Sequence, residues 1–274
     1  MTLLGIEWKN LLIAAAPFLG YLLIFKNYAI LREVSGLEEV IMPNREILPW
    51  LDRIIFQCLP HRVLSAHPNT VLDFLAAVPY LVHFPLPVLF VLYLYFTFRR
   101  RRQIYPFLWC AGWVNLLAVV VQFLFPTAPP WFADTAIYDE HGQFLGSGNN
   151  EAGFERLDKL FHMKMFHNIY SASPVKFGAM PSLHVAWPAI ILVCRPWISS
   201  QFGVFHVIWI AWAAMYSNHH YGIDALVGIF LAFLVNLCMV RIYCPFPPVS
   251  IFFRTDDDEP RSRTRTKSSS FLPV

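Results

Sequence analysis

Charge is scarce in this chain. Asp, Glu, Lys and Arg make up 14% of its 274 residues, where a soluble globular domain carries about 25%. With 57% hydrophobic residues and a mean hydropathy of +0.48, an ordinary water-soluble domain is excluded. A net charge of +3 is too small to imply a nucleic-acid partner. Cysteine is sparse: Cys58, Cys110, Cys194, Cys238 and Cys244 form no Cys-x-x-Cys pair, and at least three lie in apolar runs. An inert buried thiol is the expectation there, rather than a disulfide or a zinc ligand. His-Glu-x-x-His is missing, and Gly146–Asn150 follows no predicted strand and lacks the Lys of a phosphate-cradling loop. The outer segments hold no Asn-x-Ser/Thr acceptor. The N-terminal stretch lacks a basic region and a small-residue cleavage site, so an uncleaved span is expected, not a signal peptide.

What the chain has is aromatics, with 25 Phe, 11 Tyr and 9 Trp, and long apolar runs. Six stretches approach the roughly 20 residues needed to cross a bilayer: about Leu11–Ile30, Leu72–Phe98, Phe107–Phe125, Leu183–Ile198, Phe202–Ser217 and Ile223–Tyr243. Lys26 can snorkel from the end of the first. Pro79, Pro85 and Pro87 predict a kink or break in the second, and the fourth is short and contains Pro188. Basic residues favour the cytoplasmic side of short loops. Arg99, Arg100, Arg101 and Arg102, then Arg195, then Arg254, Arg261, Arg263, Arg265 and Lys267 all fall there if the N-terminus is cytoplasmic. Leu31–Val71 and Pro126–Ser182 then face the lumen or exterior. The expected organisation is an all-α, polytopic membrane bundle over residues 1–245. A disordered cytoplasmic tail, 246–274, follows, with its acidic Asp256–Glu259 run.

Two polar segments stand out in this apolar background. Gly178-Ala179-Met180-Pro181-Ser182-Leu183-His184 opens the fourth span, and His219-His220-Tyr221-Gly222-Ile223-Asp224 opens the sixth. Two crossings separate them, so both return to one membrane face. If the helix begins by Tyr221, His220 and Asp224 share a face and can hydrogen-bond. A carboxylate on an imidazole fixes its tautomer and raises the basicity of the free nitrogen. His184, from another helix, could move a proton on the far side of a phosphorus centre. Pro181 and Ser182 stand at a helix start, whose free N–H groups favour phosphate. Each residue also has a plainer reading: His as an interhelical packing residue, Asp as a helix cap, or His-x3-Asp as half of a metal site. Ionisable groups converging at membrane depth favour function. His219 points away from His220 on a helix and is at best supporting, as is Tyr221. Spacing identifies no partner for His61, His67, His83, His141, His162, His167 or His206.

The two segments together resemble the phosphatidic acid phosphatase type 2 superfamily, and more narrowly its inositol phosphorylceramide synthase branch. Phe125-Pro126-Thr127-Ala128-Pro129-Pro130-Trp131, Arg156–Phe161, Ser173-Pro174 before Phe177-Gly178-Ala179, and Asp73–Pro87 are similar to that branch in the same order. The resemblance implies a six-span helical bundle and a lipid phosphotransferase working through phospho-histidine, with no metal or other cofactor. His220 would be the nucleophile, Asp224 its orienting carboxylate, and His184 the proton donor and acceptor. It implies a phospholipid donor, with phosphoinositol as a candidate headgroup, a ceramide-like acceptor and, in a eukaryote, a Golgi or other secretory membrane. A lipid phosphate or prenyl diphosphate phosphatase shares every residue named, and a non-catalytic scaffold is the third reading. The superfamily's Lys-x6-Arg-Pro and Ser-Arg cations are absent, Ala213 and Ala214 standing at the latter, and Val185-Ala186-Trp187 replaces small or polar residues after His184. Ser182, Lys176 and Lys164 are the candidate phosphate-binding residues. Phe154, Leu157, Leu160 and Phe161 recur at helical spacing, which predicts an amphipathic helix in the loop before the fourth span.

Overall fold

A computed structural model describes residues 2–3, 6–37, 43–141, 144–194 and 200–246. Helices dominate. The strands among the described residues are two short antiparallel ribbons, Thr2–Leu3 with Ile6–Glu7 and Ile137–Tyr138 with Phe144–Gly146.

The long apolar runs become α1 (Trp8–Lys26), the pair α2 (Thr70–His83) and α3 (Leu86–Phe96), α4 (Ile104–Leu124), α5 (Leu183–Cys194), α6 (Ser200–Tyr216) and α7 (Gly222–Val235). A π-helical stretch, Asn236–Ile242, extends α7. Among the described residues, three helices are long and apolar enough to cross a membrane: Trp8–Lys26, Arg101–Leu124 and Gly222–Ile242. The α2–α3 pair, bent by 49°, makes a fourth when taken as one span. The expected proline break is therefore present, and it falls at Phe84–Pro85, where the ring nitrogen has no proton to give the helix. Pro79 is tolerated inside α2. The fourth and fifth apolar stretches form helices of 12 and 17 residues, shorter than the three long ones. Arg195, which follows α5, lies outside the described residues, as do the tail arginines, Lys267 and the acidic run Asp256–Glu259.

α5 is the central element. Val185, Ala186, Ala189 and Ile190 are fully buried, and the helix packs against α2, α4, α6 and α7. Small residues let the backbones approach. At Gly228 of α7 an added Cβ would come within 2.4 Å of the Ser182 carbonyl oxygen, so only glycine fits. Outward, Leu23, Phe96, Phe205, Ile208 and Phe230 are exposed. This apolar girdle belongs to an integral membrane protein.

The segment expected to be amphipathic forms a single short helix, α8 (Glu155–Leu160), after a 3-10 turn. Phe154 and Leu157 are buried, but Leu160 and Phe161 are half exposed. Asp158, between these residues in the sequence, is buried and accepts the N–H groups of Phe166 and His167 at 3.1 and 2.9 Å. His162, at φ 51°, turns the chain and ends the segment.

Candidate active site

The starts of α5 and α7 are tied together. The Ser182 N–H donates to the Asp224 carbonyl at 3.0 Å, which brings His184 and His220 to one end of the bundle. Their ring centroids are 5.4 Å apart in an edge-on arrangement. They line a cavity of about 120 Å³ with His219, Trp131, Asn150 and Lys176. That is below the roughly 300–1,000 Å³ of a drug-sized ligand pocket and is matched to a small polar group.

His220 and Asp224 do not meet on a helix face, as their spacing suggested. The helix begins only at Gly222, and His220 lies in the preceding turn, where the His219 and His220 N–H groups both donate to the Ala214 carbonyl at 3.0 and 3.1 Å. Asn218, at φ 59°, reverses the chain there. The His220 Nδ1 is 3.2 Å from Asp224 Oδ2 and 3.1 Å from the Ala179 carbonyl oxygen. Both partners only accept when Asp224 is ionised, so Nδ1 carries the proton and Nε2 keeps a lone pair. The same Oδ2 also accepts the Tyr221 N–H at 3.1 Å.

The Ala179 carbonyl is placed by the Pro126–Trp131 segment. Thr127 donates its N–H to the Phe177 carbonyl, accepts the Ala179 N–H on its own carbonyl, and takes the Met180 N–H on its hydroxyl at 3.1 Å. Gln122, from α4, donates to the Gly178 and Pro181 carbonyls at 3.0 and 3.2 Å. A Cβ at Gly178 would strike Val175 and Gln122 at 2.7 and 2.9 Å, which explains glycine there. Trp131 donates its N–H to the Asn218 carbonyl and so binds this segment to the His219–His220 turn.

His219 is a brace. Its Nε2 donates to the Asn150 carbonyl at 3.1 Å, its Nδ1 accepts from Ser217 Oγ at 2.9 Å, and its ring stacks on Tyr170 at 4.3 Å. Burial, with His220 beside it, lowers its pKa to about 3, so it stays neutral.

The other sequence candidates divide. Lys176 lines the histidine cavity and an adjoining aromatic cavity of about 530 Å³ walled by Phe132, Phe144 and Phe177. Lys164 is exposed and lines neither. The Ser182 hydroxyl is fully buried without a hydrogen-bond partner and does not face the histidine cavity. Tyr221 serves Asp224 through its backbone, while its ring packs on His61 at 4.9 Å. Among the described residues, no group of three or more His, Cys, Asp or Glu is arranged to hold a metal ion.

Residues that spacing could not pair are also in place. Asp52, in the helix Ile47–Phe56, accepts the Gly222 and Ile223 N–H groups at 3.0 and 2.8 Å and caps α7. Arg156 forks onto Asp73 through Nε, 3.0 Å from both carboxylate oxygens, and Tyr216 donates to the same carboxylate at 2.7 Å. This fastens the long loop to α2 and α6. Arg62 and His61 hold Asp134 at 2.7 and 3.2 Å. Burial acts to raise the Asp134 pKa, but these two hydrogen bonds overcome it and hold the carboxyl well below its usual range. His83, which spacing left without a partner, lies 3.1 Å from His184.

The family model described as the PAP2 superfamily matches residues 46–238, which enclose every one of these residues. The chain is 34% identical over 215 residues to the phosphoinositol dihydroceramide synthase of Bacteroides thetaiotaomicron, covering 71% of this chain and 68% of that protein. It is 31% identical over 219 residues to the inositol phosphorylceramide synthase catalytic subunit of Saccharomyces cerevisiae, covering 76% of this chain and 52% of that one. For the inositol phosphorylceramide synthase of Candida albicans the identity is 32% over 218 residues, with 76% and 45% covered. The chain thus spans about half the length of these fungal relatives. No solved structure matches it. The match runs from the capping Asp52 through both histidine segments, and the chain belongs to the PAP2 superfamily, in its inositol phosphorylceramide synthase branch.

Proposed function

We propose that this protein is a lipid phosphotransferase that moves phosphoinositol from a phospholipid to a ceramide-like acceptor through a phospho-histidine intermediate. The observation that carries this reading is the orientation of His220. Its Nδ1 is committed to Asp224 and Ala179, which leaves Nε2 as the nucleophile beside the cavity that His184 enters from a second helix. In the first step His220 Nε2 attacks the donor phosphorus. The bond to the diacylglycerol oxygen breaks, and a protonated His184 gives that oxygen its proton. In the second step the acceptor hydroxyl loses its proton to His184 and attacks the phosphorus, and the P–N bond returns its electron pair to His220. Asp224 stabilises the imidazolium character that His220 carries between the two steps. Lys176, on the cavity wall, would neutralise the phosphate.

The aromatic cavity that shares Lys176 with the site supports a lipid-bearing acceptor over water. The relatives in both yeasts and the bacterium carry names for this same transfer. The basic clusters support a six-crossing arrangement in which both termini are cytoplasmic and the site faces the lumen or exterior, in a secretory membrane such as the Golgi if the host is a eukaryote. Half-exposed Leu160 and Phe161 then rest at the lipid interface beside Phe74, 5.5 Å from the Phe161 ring. The test is transfer by purified protein in mixed micelles of labelled phosphatidylinositol and ceramide. A labelled inositol-phosphorylceramide product, lost in His220→Ala and His184→Ala, is expected. Histidine-dependent release of phosphate from lipid phosphates, with no transfer, would move the assignment to a hydrolase.

A further inference from the structure

The proposed reaction asks His184 to give up a proton and then take one back at the same atom. An imidazole does this well only if its other nitrogen is occupied in both states. For His220 that duty falls to Asp224. Near His184 no carboxylate is in hydrogen-bond reach among the described residues, and the neighbour at its Nδ1 is His83.

His83 Nδ1 is 2.6 Å from the Tyr80 carbonyl oxygen, one turn back on α2. A carbonyl only accepts, so His83 Nδ1 holds the proton and, in the neutral ring, His83 Nε2 is a lone pair. That lone pair is 3.1 Å from His184 Nδ1, which must therefore be the donor. The proton on His184 is fixed at Nδ1, and Nε2 is the nitrogen left to exchange protons. When His184 is doubly protonated, Nδ1–H still donates to His83, so the ring does not have to turn between the two steps. His83 itself is buried. Its ring lies 4.0 Å from Phe84 and 4.6 Å from His184 by centroids, at the residue pair where α2 breaks from α3.

We infer that His83 is the positioning residue of the proton-transferring His184, set by the Tyr80 carbonyl and acting through its Nε2 as acceptor. It does for His184 what Asp224 does for His220, but without a charge. A neutral acceptor leaves His184 able to release its proton to the departing alcohol, whereas a carboxylate would hold that proton more tightly. The break after His83 gives the arrangement a structural origin, since it frees the end of α2 to turn its last residue inward.

This inference rests on the functional reading above, and its test separates the two. The titratable neighbours of His184 are His83 and Tyr80 from α2, His219 and His220 from the turn before α7, and Tyr170 and Lys176 from the cavity wall. Asp224 stands behind His220, and His206 of α6 is the further ionisable group close enough to act on His83. Four variants are measured in the full chain in micelles: His83→Gln, His83→Asn, His83→Leu and His83→Glu. Gln places an amide oxygen near the position of Nε2, whereas Asn reaches only the position of Nδ1 and Leu accepts nothing. Transfer in His83→Leu and His83→Asn should fall about 10–100-fold in kcat, less than the 10²–10⁴ that a positioned proton donor itself supplies because His184 remains, with the donor KM unchanged. His83→Gln should recover most of that loss. The second readout does not need turnover: deuterium exchange at the imidazole C2 position, followed by mass spectrometry across pH, reports the titration of His184 alone. His83→Glu should move that titration up by about 1 unit or more, and the alkaline limb of the rate profile should move with it. Equal losses in Gln, Asn and Leu, or an unmoved His184 titration in His83→Glu, would overturn the inference. If the unaltered protein shows no His220-dependent transfer, the functional reading fails, while C2 exchange still decides the His83–His184 contact.

Discussion

The Asp52 carboxylate receives the Gly222 and Ile223 N–H groups at 3.0 and 2.8 Å, so the helix carrying Asp224 starts on a side chain from 170 residues earlier. Helix N-termini leave their first N–H groups unpaired, and a capping carboxylate satisfies two of them here. Asp52 is fully buried, so nothing from solvent can replace it. Asp52→Ala should lower stability by about 1–2 kcal/mol and reduce transfer more than binding, because the register of His220 against Asp224 depends on where α7 begins. Thermal unfolding in micelles, with kcat and KM measured separately, checks both parts. An unchanged kcat would show that the cap does not set the site.

Asp73 and Arg156 form the second long-range tie, with Tyr216 as a third partner. The pair is half-sheltered, Asp73 being 5% and Arg156 36% exposed, and hydrogen bonds to charged groups are worth about 1.5–3 kcal/mol. Arg156→Ala should cost about 2 kcal/mol and free the Glu155–Leu160 helix from α2. In the double variant with Asp73→Asn the loss should be less than the sum of the two single losses. A double-mutant cycle on the unfolding midpoint, with limited proteolysis across residues 150–170, measures this coupling.

These ties mark the boundary of what the sequence discloses. Membrane residence, the helical class and the break near Pro85 are legible because they depend on local composition and on the missing proline N–H. That His184, His220 and Asp224 come together at one end of the bundle is legible because their segments open runs that two crossings separate. The ties themselves are not. His83 pairs with His184 across 101 residues, Asp73 with Arg156 across 83 and Asp52 with Gly222 across 170, and no local pattern in one sequence encodes such distances. Hydropathy places the start of the fourth run at Leu183, where α5 begins, but it does not disclose the Ser182 N–H bond to the Asp224 carbonyl that ties this start to α7.

Asp134 offers a pH test outside the membrane spans. Its hydrogen bonds to His61 and Arg62 outweigh burial and hold its folded pKa below the unfolded value. A depressed carboxylate contributes stability that is fully present above the unfolded pKa of about 4 and is lost as pH falls toward the folded value. The difference in unfolding midpoint between the unaltered protein and Asp134→Asn should therefore be constant near neutrality and shrink below about pH 4. A difference that grew on acidification would contradict the assigned direction.

Lys176 and Lys164 were equal candidates by sequence, and the structure separates them. Lys176 borders both the histidine cavity and the aromatic cavity beside it, and Lys164 borders neither. A lysine that meets phosphate in the ground state and through the reaction contributes uniform binding, so its loss raises KM with little change in kcat. Lys176→Ala should raise the donor KM about tenfold, matching the roughly 1.4 kcal/mol of one charge-assisted contact, and Lys176→Arg should recover part of it. Lys164→Ala should leave both constants unchanged. If Lys176→Ala instead lowered kcat with KM intact, the lysine would be acting on charge that develops only in the transition state. The same assay with short-chain and long-chain ceramide separates the two cavities. A lysine serving the donor phosphate raises the donor KM equally with either acceptor, whereas one lining the acceptor path raises the KM of the long-chain acceptor alone.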